Sequence, residues 1–285
     1  MKVEIFNVDH GSCALVTTPN NKHLLMDCGS SGASLLTRWL PGNLLAGRSI
    51  YLLDELLISH ADEDHVSGME SLYNANITVG WIESNNSLTP QVIRSLKPET
   101  PGPGVNLFLQ KLSAQNRACS QRGLLSGLPP SPPRLAINKI SFRCTYTAYG
   151  ECTGLNNLSL VTFLSSGGLC MIFPGDIEAS GWRVLLRNAD FRRHLAGVNV
   201  FVASHHGRRS GYFSEVFNHC SPKLVVFSDS SISHDSQNTA ALYRQHTSGI
   251  TFSDNAHRHV LTTRNNGNII FQATTDSFHA TINRA

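Results

Sequence analysis

The stretch that most limits what this chain can fold into is Ser59-His60-Ala61-Asp62-Glu63-Asp64-His65-Val66-Ser67-Gly68, directly after the apolar run Leu52 to Ile58. A strand-like run that stops in polar residues and a glycine predicts a loop at the end of a buried strand. That loop carries two imidazoles and two carboxylates at positions i, i+2, i+4 and i+5. A single turn Asp is ordinarily solvated. Crowded carboxylates, however, repel one another unless a cation or a proton lies between them, and imidazole nitrogens are ligands that divalent transition metals favour. The spacing therefore predicts a metal site.

Size and composition set the frame. The chain has 285 residues, 41% hydrophobic and 15% charged, enough for one large domain with ample core. A net charge of only +3 produces no global basic field, so any nucleic-acid binding must come from a local patch. Seven cysteines form an odd count without a CxxC pair and lie mostly in apolar runs, where they read as small buried hydrophobes in a reducing compartment. No segment approaches the ~20 apolar residues that span a bilayer, and Met1 leads straight into a strand pattern. The expectation is a cytoplasmic protein with no membrane partner.

Along the chain, Val3–Val8 and Cys13–Thr17 alternate around the turn Asp9-His10-Gly11-Ser12, a hairpin-like opening. Leu24–Met26 is a strand ending at Asp27, followed by a helix over Ser34–Leu40 that Pro41-Gly42 ends. Val66–Tyr73 reads as helix and Ile77–Ile82 as strand. Prolines and glycines then interrupt the pattern over 90–135 and bracket one amphipathic helix, about Val105–Arg122, which predicts an inserted cap or lid in a single domain covering 1–285. Further strands are expected at Ile137–Tyr146, Leu169–Phe173, Val198–Ala203 and Leu224–Ser228. Helices are expected at Glu178–Arg187 and up to His246, and a closing hairpin with an Asn-Gly turn over His259–Phe271.

His60-x-Asp62-x-Asp64-His65 resembles the HxHxDH motif of the metallo-β-lactamase superfamily, with Asp62 where most members carry the second His. That Asp, the preceding Ser59 and the following Val66-Ser67-Gly68 resemble the branch typified by the nuclease-like domain of the DNA-uptake protein ComEC. Phe6 to Ser12, Asp27-Cys28-Gly29, Asn156-Asn157-Leu158-Ser159-Leu160-Val161, Pro174-Gly175-Asp176 and Ser204-His205-His206-Gly207 follow in family order. The resemblance implies a four-layer αββα sandwich with a Pro-rich helical insertion. It also implies two divalent ions, manganese or zinc. One would be held by His60, Asp62 and a shared Asp176, the other by Asp64, His65, Asp176 and His205. His205 is favoured over His206 because it comes first off its strand, which leaves His206 to orient a ligand or donate a proton. Asp27 would orient a ligand. Asn156 or Asn157, standing where a metal-binding His is usual, would hydrogen-bond substrate or water. Asp9 and His10 receive no ligand role, and His234 would sit at the pocket rim.

Two cations about 3.5 to 4 Å apart activate water and polarise an electrophile, which suits attack on a phosphodiester. Asp64, Asp176 and His206 would carry the catalysis. An oxygen-rich site tilts the metal preference toward manganese. Arg208, beside Arg209, would hold phosphate oxygens. The implied function is a metal-dependent hydrolase, a phosphodiesterase or nuclease acting on nucleic acid or another phosphodiester. Two rival readings stand beside it: hydrolysis of a small ester, lactone or cyclic nucleotide under the cap, and a scaffold role with a protein partner in a bacterial defence system, the metal being structural.

Overall fold

The alternating run at the N-terminus builds the first of two sheets in the computed structural model, which describes residues 1–30, 39–97, 99–121, 140–231 and 238–283. Strands β1 (Lys2–Ile5), β2 (Ala14–Thr17) and β3 (His23–Met26) form an antiparallel meander, and β5 (Glu55–Leu57) and β7 (Ile82–Glu83) extend it in parallel. On the other side of β1 lie β16 (Asn268–Ala273) and β17 (Phe278–Asn283), both antiparallel, giving the order β17-β16-β1-β2-β3-β5-β7. The second sheet has the order β15-β12-β11-β10-β9-β8, from β8 (Ile140–Thr145), β9 (Val161–Ser166), β10 (Leu169–Phe173), β11 (Val200–Val202), β12 (Leu224–Phe227) and β15 (Val260–Thr262). Two small ribbons complete the described strands: β4 (Leu52–Leu53) with β6 (Thr78–Val79), and β13 (Ile250–Thr251) with β14 (His257–Arg258).

Side-chain alternation sorts the strands into layers. Ala14, Val16, Leu24, Met26 and Leu57 point between the sheets and meet Leu164, Met171, Val200 and Val226. Their neighbours Leu15, Leu25 and Leu56 point the other way, under α1 (Pro41–Gly47), α3 (Met69–Asn74) and α5 (Pro103–Gln121). On the far face of the second sheet, Phe163, Ile172, Phe201 and Val225 pack under α6 (Ala179–Leu185), α7 (Ala189–Leu195) and α8 (Ala240–Arg244). Helices, sheet, sheet, helices is the αββα order that the resemblance implied. Because both faces of the parallel strands are covered, β11 and β12 are continuous buried apolar runs.

The described part of the insertion is α4 (Pro90–Leu96) and α5. Helix α5 lies against α2 (Glu63–Val66) and α3. Its Gln115 side chain accepts from Ile82 N at 2.8 Å and donates to Ile82 O at 2.9 Å, so the outermost strand of the first sheet is capped by an amide. Glu63 accepts from the N–H groups of Gly104 and Val105 in the first turn of α5, a favourable end for a carboxylate.

Four expectations change. Pro41 begins a helix, at its first turn, where its missing N–H and fixed φ cost nothing. The helix over Val66–Tyr73 is two, α2 and α3, because the chain breaks at Ser67-Gly68, where Gly68 N bonds Cys28 O at 2.7 Å. Ile77–Ile82 is split between β6 and β7 around Gly80. The closing hairpin does not form: β15 pairs in parallel with β12 in the second sheet, and β16 pairs with β1 in the first. Helix α9 (Thr263–Asn266) carries the chain from one sheet to the other, capped by Thr262 Oγ1 on Asn265 N and by Asn266 Oδ1 on Thr262 N. The true last hairpin is β16-β17. The expected helix at Ser34–Leu40 falls mostly outside the described residues.

Candidate metal centre

The loops that leave the C-terminal ends of β3, β5, β10 and β11 meet at one end of the sandwich. They deliver Asp27, then His60 and Asp62 with Asp64 and His65 on α2, then Asp176, then His205 and His206. Parallel strands carry their C-terminal loops to the same edge, which is why residues far apart in sequence converge.

Four of these side chains form a tight group. One ligand atom each from Asp64, His65, Asp176 and His206 lies within 4.8 Å of all the others. His206 Nε2 is 3.2 Å from Asp64 Oδ2 and 3.2 Å from His65 Nε2, and His65 Nε2 is 3.2 Å from Asp176 Oδ1. Donors arranged tetrahedrally at about 2.1 Å from a small cation stand roughly 3.4 Å apart, so these separations fit one divalent ion. A second group shares Asp176: His60 Nε2 is 3.9 Å and His205 Nε2 3.6 Å from Asp176 Oδ2, and His60 Nε2 is 3.4 Å from Asp62 Oδ2.

The hydrogen-bond network fixes which nitrogen of each ring faces inward. His65 Nδ1 donates to Asp27 Oδ2 at 2.8 Å, and His206 Nδ1 donates to Ser228 O at 2.8 Å. His60 Nδ1 meets Ser59 Oγ at 3.1 Å, while the Ser59 hydroxyl donates to Asp27 Oδ2 at 2.9 Å. His205 Nδ1 lies 2.9 Å from Ser210 Oγ and 3.3 Å from Glu178 Oε1. Each ring therefore turns Nε2, with its lone pair in the neutral form, toward Asp176. His60 Nε2 is buried and, among the described residues, has no hydrogen-bond partner. Imidazole nitrogens and carboxylate oxygens that converge this closely need a proton or a cation between them, and nitrogen with carboxylate oxygen suits a divalent transition metal.

The field of the site points the same way. Burial opposes charge on His65, yet the Asp27, Asp176 and Asp64 carboxylates hold its pKa well above the ordinary value. His206 is raised too, with Asp176 and Asp64 outweighing burial. Burial would raise Asp176, but His206, His65 and His60 hold it well below the carboxylate range. Asp64 is lowered against burial by His65 and His206. The same carboxylates that stabilise these protons attract a metal ion in their place.

Sequence order favoured His205 beside Asp64 and His65; the structure brings His206 there and leaves His205 on the Asp176–Glu178 side. Three consecutive left-handed residues cause the exchange: His205 at φ 52°, His206 at φ 54° and Gly207 at φ 77°. Each non-glycine left-handed residue costs roughly 1–2 kcal/mol. Here the turn swings the second imidazole under Asp64, where Ser228 O holds it. Its Nδ1 is engaged by Ser228 O and its Nε2 faces Asp64 and His65. A Cβ on Gly207 would stand 2.3 Å from the Phe227 ring.

Other expected residues divide. Asp27 orients His65 and also accepts from Ser59 N at 2.7 Å. Asn157 is spent on the fold: its Oδ1 accepts from Glu178 N at 3.1 Å and Gly181 N at 3.0 Å at the start of α6. From the same motif it is Ser159 that reaches the site, its Oγ accepting from Asp176 N at 3.2 Å and donating to the backbone oxygen of Asn156 at 2.8 Å. Arg208 stands at the mouth, with Nη2 3.3 Å from His10 Nε2. His234 lies outside the described residues. His10, which sequence reading gave no ligand role, lies 3.3 Å from Asp64 Oδ2, and sequence reading missed Ser59, which touches Asp27, His60 and His65. The signal for His10 was its turn at the end of β1; the signal for Ser59 was its place between strand and ligands. Lys97 of the insertion, also unforeseen, pairs its Nζ with Asp62 Oδ1.

A family model described as "Anti-Pycsar protein Apyc1" matches residues 6–80. ComE operon protein 3 of Bacillus subtilis (strain 168) is 22% identical over 271 residues, covering 89% of this chain and 32% of that protein. The chain thus spans about a third of the length of that relative. Among solved structures, CmlA, a diiron beta-hydroxylase from Streptomyces venezuelae, superposes with a TM-score of 0.52 at 13% identity, over 94% of this chain and 53% of that one. A putative Zn-dependent hydrolase of the metallo-beta-lactamase superfamily from Thermotoga maritima gives a TM-score of 0.41 at 10% identity, over 91% and 97%. The αββα order of the two sheets and the likeness in sequence to ComE operon protein 3 agree with the resemblance read from the motifs.

Proposed function

We propose that this chain is a metal-dependent phosphodiesterase, with nucleic acid as its foremost substrate class. One observation carries the reading. Asp64, His65, Asp176 and His206 converge with every imidazole Nδ1 anchored outward, which leaves a buried set of lone pairs at metal-ligand spacing. Divalent ions bound there would supply Lewis acidity and lower the pKa of water. The chain's own residues supply the rest. Asp27 and Ser59 hold the His60 and His65 rings, and Ser159 holds the turn of Asp176. His10 and Arg208 place donors at the mouth, where a phosphate oxygen can be bound. The carboxylate at position 62 makes the site oxygen-rich and favours manganese over zinc.

The test is turnover of bis(p-nitrophenyl) phosphate, single-stranded DNA, duplex DNA and RNA by the metal-loaded protein, with Asp64→Ala as control. Metal-dependent cleavage lost in the control supports the proposal; no cleavage of any phosphodiester with either manganese or zinc rejects it. A second reading, a small or cyclic phosphodiester as substrate, is favoured by the insertion, which is pinned beside the site to the ligand loop at both Asp62 and Glu63. Cyclic mononucleotides cleaved faster than single-stranded DNA would select it.

A further inference from the structure

The two halves of the metal centre are not equivalent. Around Asp64, His65, Asp176 and His206 the two carboxylates pair, among the described residues, with imidazoles and with no ammonium or guanidinium group, and four donors face one point. Around His60 and Asp62 the situation differs. Asp62 Oδ1 is already taken by the Lys97 ammonium, while Asp62 Oδ2 sits 3.4 Å from His60 Nε2, which is buried and, among the described residues, has no hydrogen-bond partner. One oxygen of the Asp62 carboxylate is thus already paired with a cation of the chain itself.

Lys97 does not reach Asp62 by chance of a floppy surface arm. It follows α4 directly, and its backbone N–H closes that helix on Arg94 O at 3.2 Å. One residue further along the ligand loop, Glu63 binds the first turn of α5 through Gly104 N at 2.9 Å and Val105 N at 3.2 Å. The insertion is therefore clamped to two consecutive residues of the ligand loop, from both sides of residues 97–103. An ammonium is a compact, strongly hydrated point charge. A divalent ion beside it at Asp62 meets both its repulsion and the loss of one carboxylate oxygen.

We propose that Lys97 sets the metal stoichiometry: the chain binds one ion tightly at Asp64, His65, Asp176 and His206, and a second, weaker ion at His60, Asp62 and Asp176 only when Lys97 leaves Asp62. This rests on the metal-hydrolase reading for the presence of the first ion, but its test counts ions and does not depend on turnover. Chelator-stripped protein, Lys97→Ala, Lys97→Gln and the charge-retaining Lys97→Arg are titrated with manganese and, separately, with zinc. Bound metal per chain is measured by mass spectrometry after desalting, and stepwise affinity by calorimetry. Circular dichroism confirms that each variant is folded. The native chain and Lys97→Arg are expected to retain one ion after desalting, and Lys97→Ala and Lys97→Gln two, with the second step at least tenfold tighter than in the native chain. Equal counts and equal second-step affinities in native protein and Lys97→Ala overturn the proposal while leaving the hydrolase reading intact. No bound ion in any of the folded proteins overturns both.

Discussion

Asp27 offers the sharpest test of how the centre is held. It closes β3 at φ 54°, a left-handed conformation that Asn tolerates as well as Asp, so Asp27→Asn leaves the backbone turn in place. Asp27 Oδ1 accepts from Ser59 N at 2.7 Å, and Oδ2 accepts from Ser59 Oγ at 2.9 Å and His65 Nδ1 at 2.8 Å. In the amide variant one oxygen becomes an NH2 group. If the remaining oxygen stays on Ser59 N, hydrogens meet the His65 Nδ1–H donor. His65 relieves this only by moving its proton to Nε2, the atom that faces Asp176 and His206. Loss of such an outer partner typically costs 10- to 100-fold in metal affinity, which is about 1.4 to 2.7 kcal/mol. Stability of the metal-free fold falls as well, by about 1.5 to 3 kcal/mol for the lost charge-assisted bond. Competition with a chromophoric chelator gives the metal Kd, and urea unfolding of the stripped protein gives the folding term. A folded Asp27→Asn protein whose metal Kd matches the native value would refute the orientation of His65 by Asp27.

Four further outcomes follow from the same geometry. His206→Ala should abolish the tight ion and His205→Ala should leave it, measured as bound metal per chain; the reverse result would restore the order suggested by sequence. Because the carboxylates raise His65 and His206, their protons persist to higher pH and must be displaced by metal, so affinity should fall as pH falls; calorimetry in buffers of different ionisation enthalpy should show protons released on binding. Glu55, buried beside Glu83 and Asp54, is pushed from 4.5 to about 7, chiefly by burial. A raised folded-state pKa gives stability that is present below about pH 4.5 and lost as pH rises through about 7, up to roughly 3 kcal/mol; Glu55→Gln should flatten that slope in urea melts between pH 5 and 8. Gly207→Ala should destabilise the fold by about 2 to 5 kcal/mol, from a left-handed alanine and overpacking against Phe227, and should weaken metal binding through His206.

The sequence by itself fixed whatever depends on residue type and order. A buried run followed by His60-x-Asp62-x-Asp64-His65, and a Gly-Asp and a His-His-Gly each following an apolar run, identify metal chemistry because few other environments tolerate such groups at strand ends. The apolar runs over β2 and β3 likewise marked these segments as strands. Tertiary structure alone decided three things. It put His206 rather than His205 beside Asp64 and His65, since that depends on a left-handed backbone at both residues, held by Gly175 O and Ser228 O, that no periodicity reveals. It separated β15 from β16, because an Asn-Gly turn and two apolar runs look alike whether the partners are each other or two different sheets. And it set Lys97 on Asp62, a contact across 35 positions whose existence rests on how α4 and α5 pack over the ligand loop. Local pattern records which groups a chain carries, while the approach of distant segments is decided by packing that no single stretch contains.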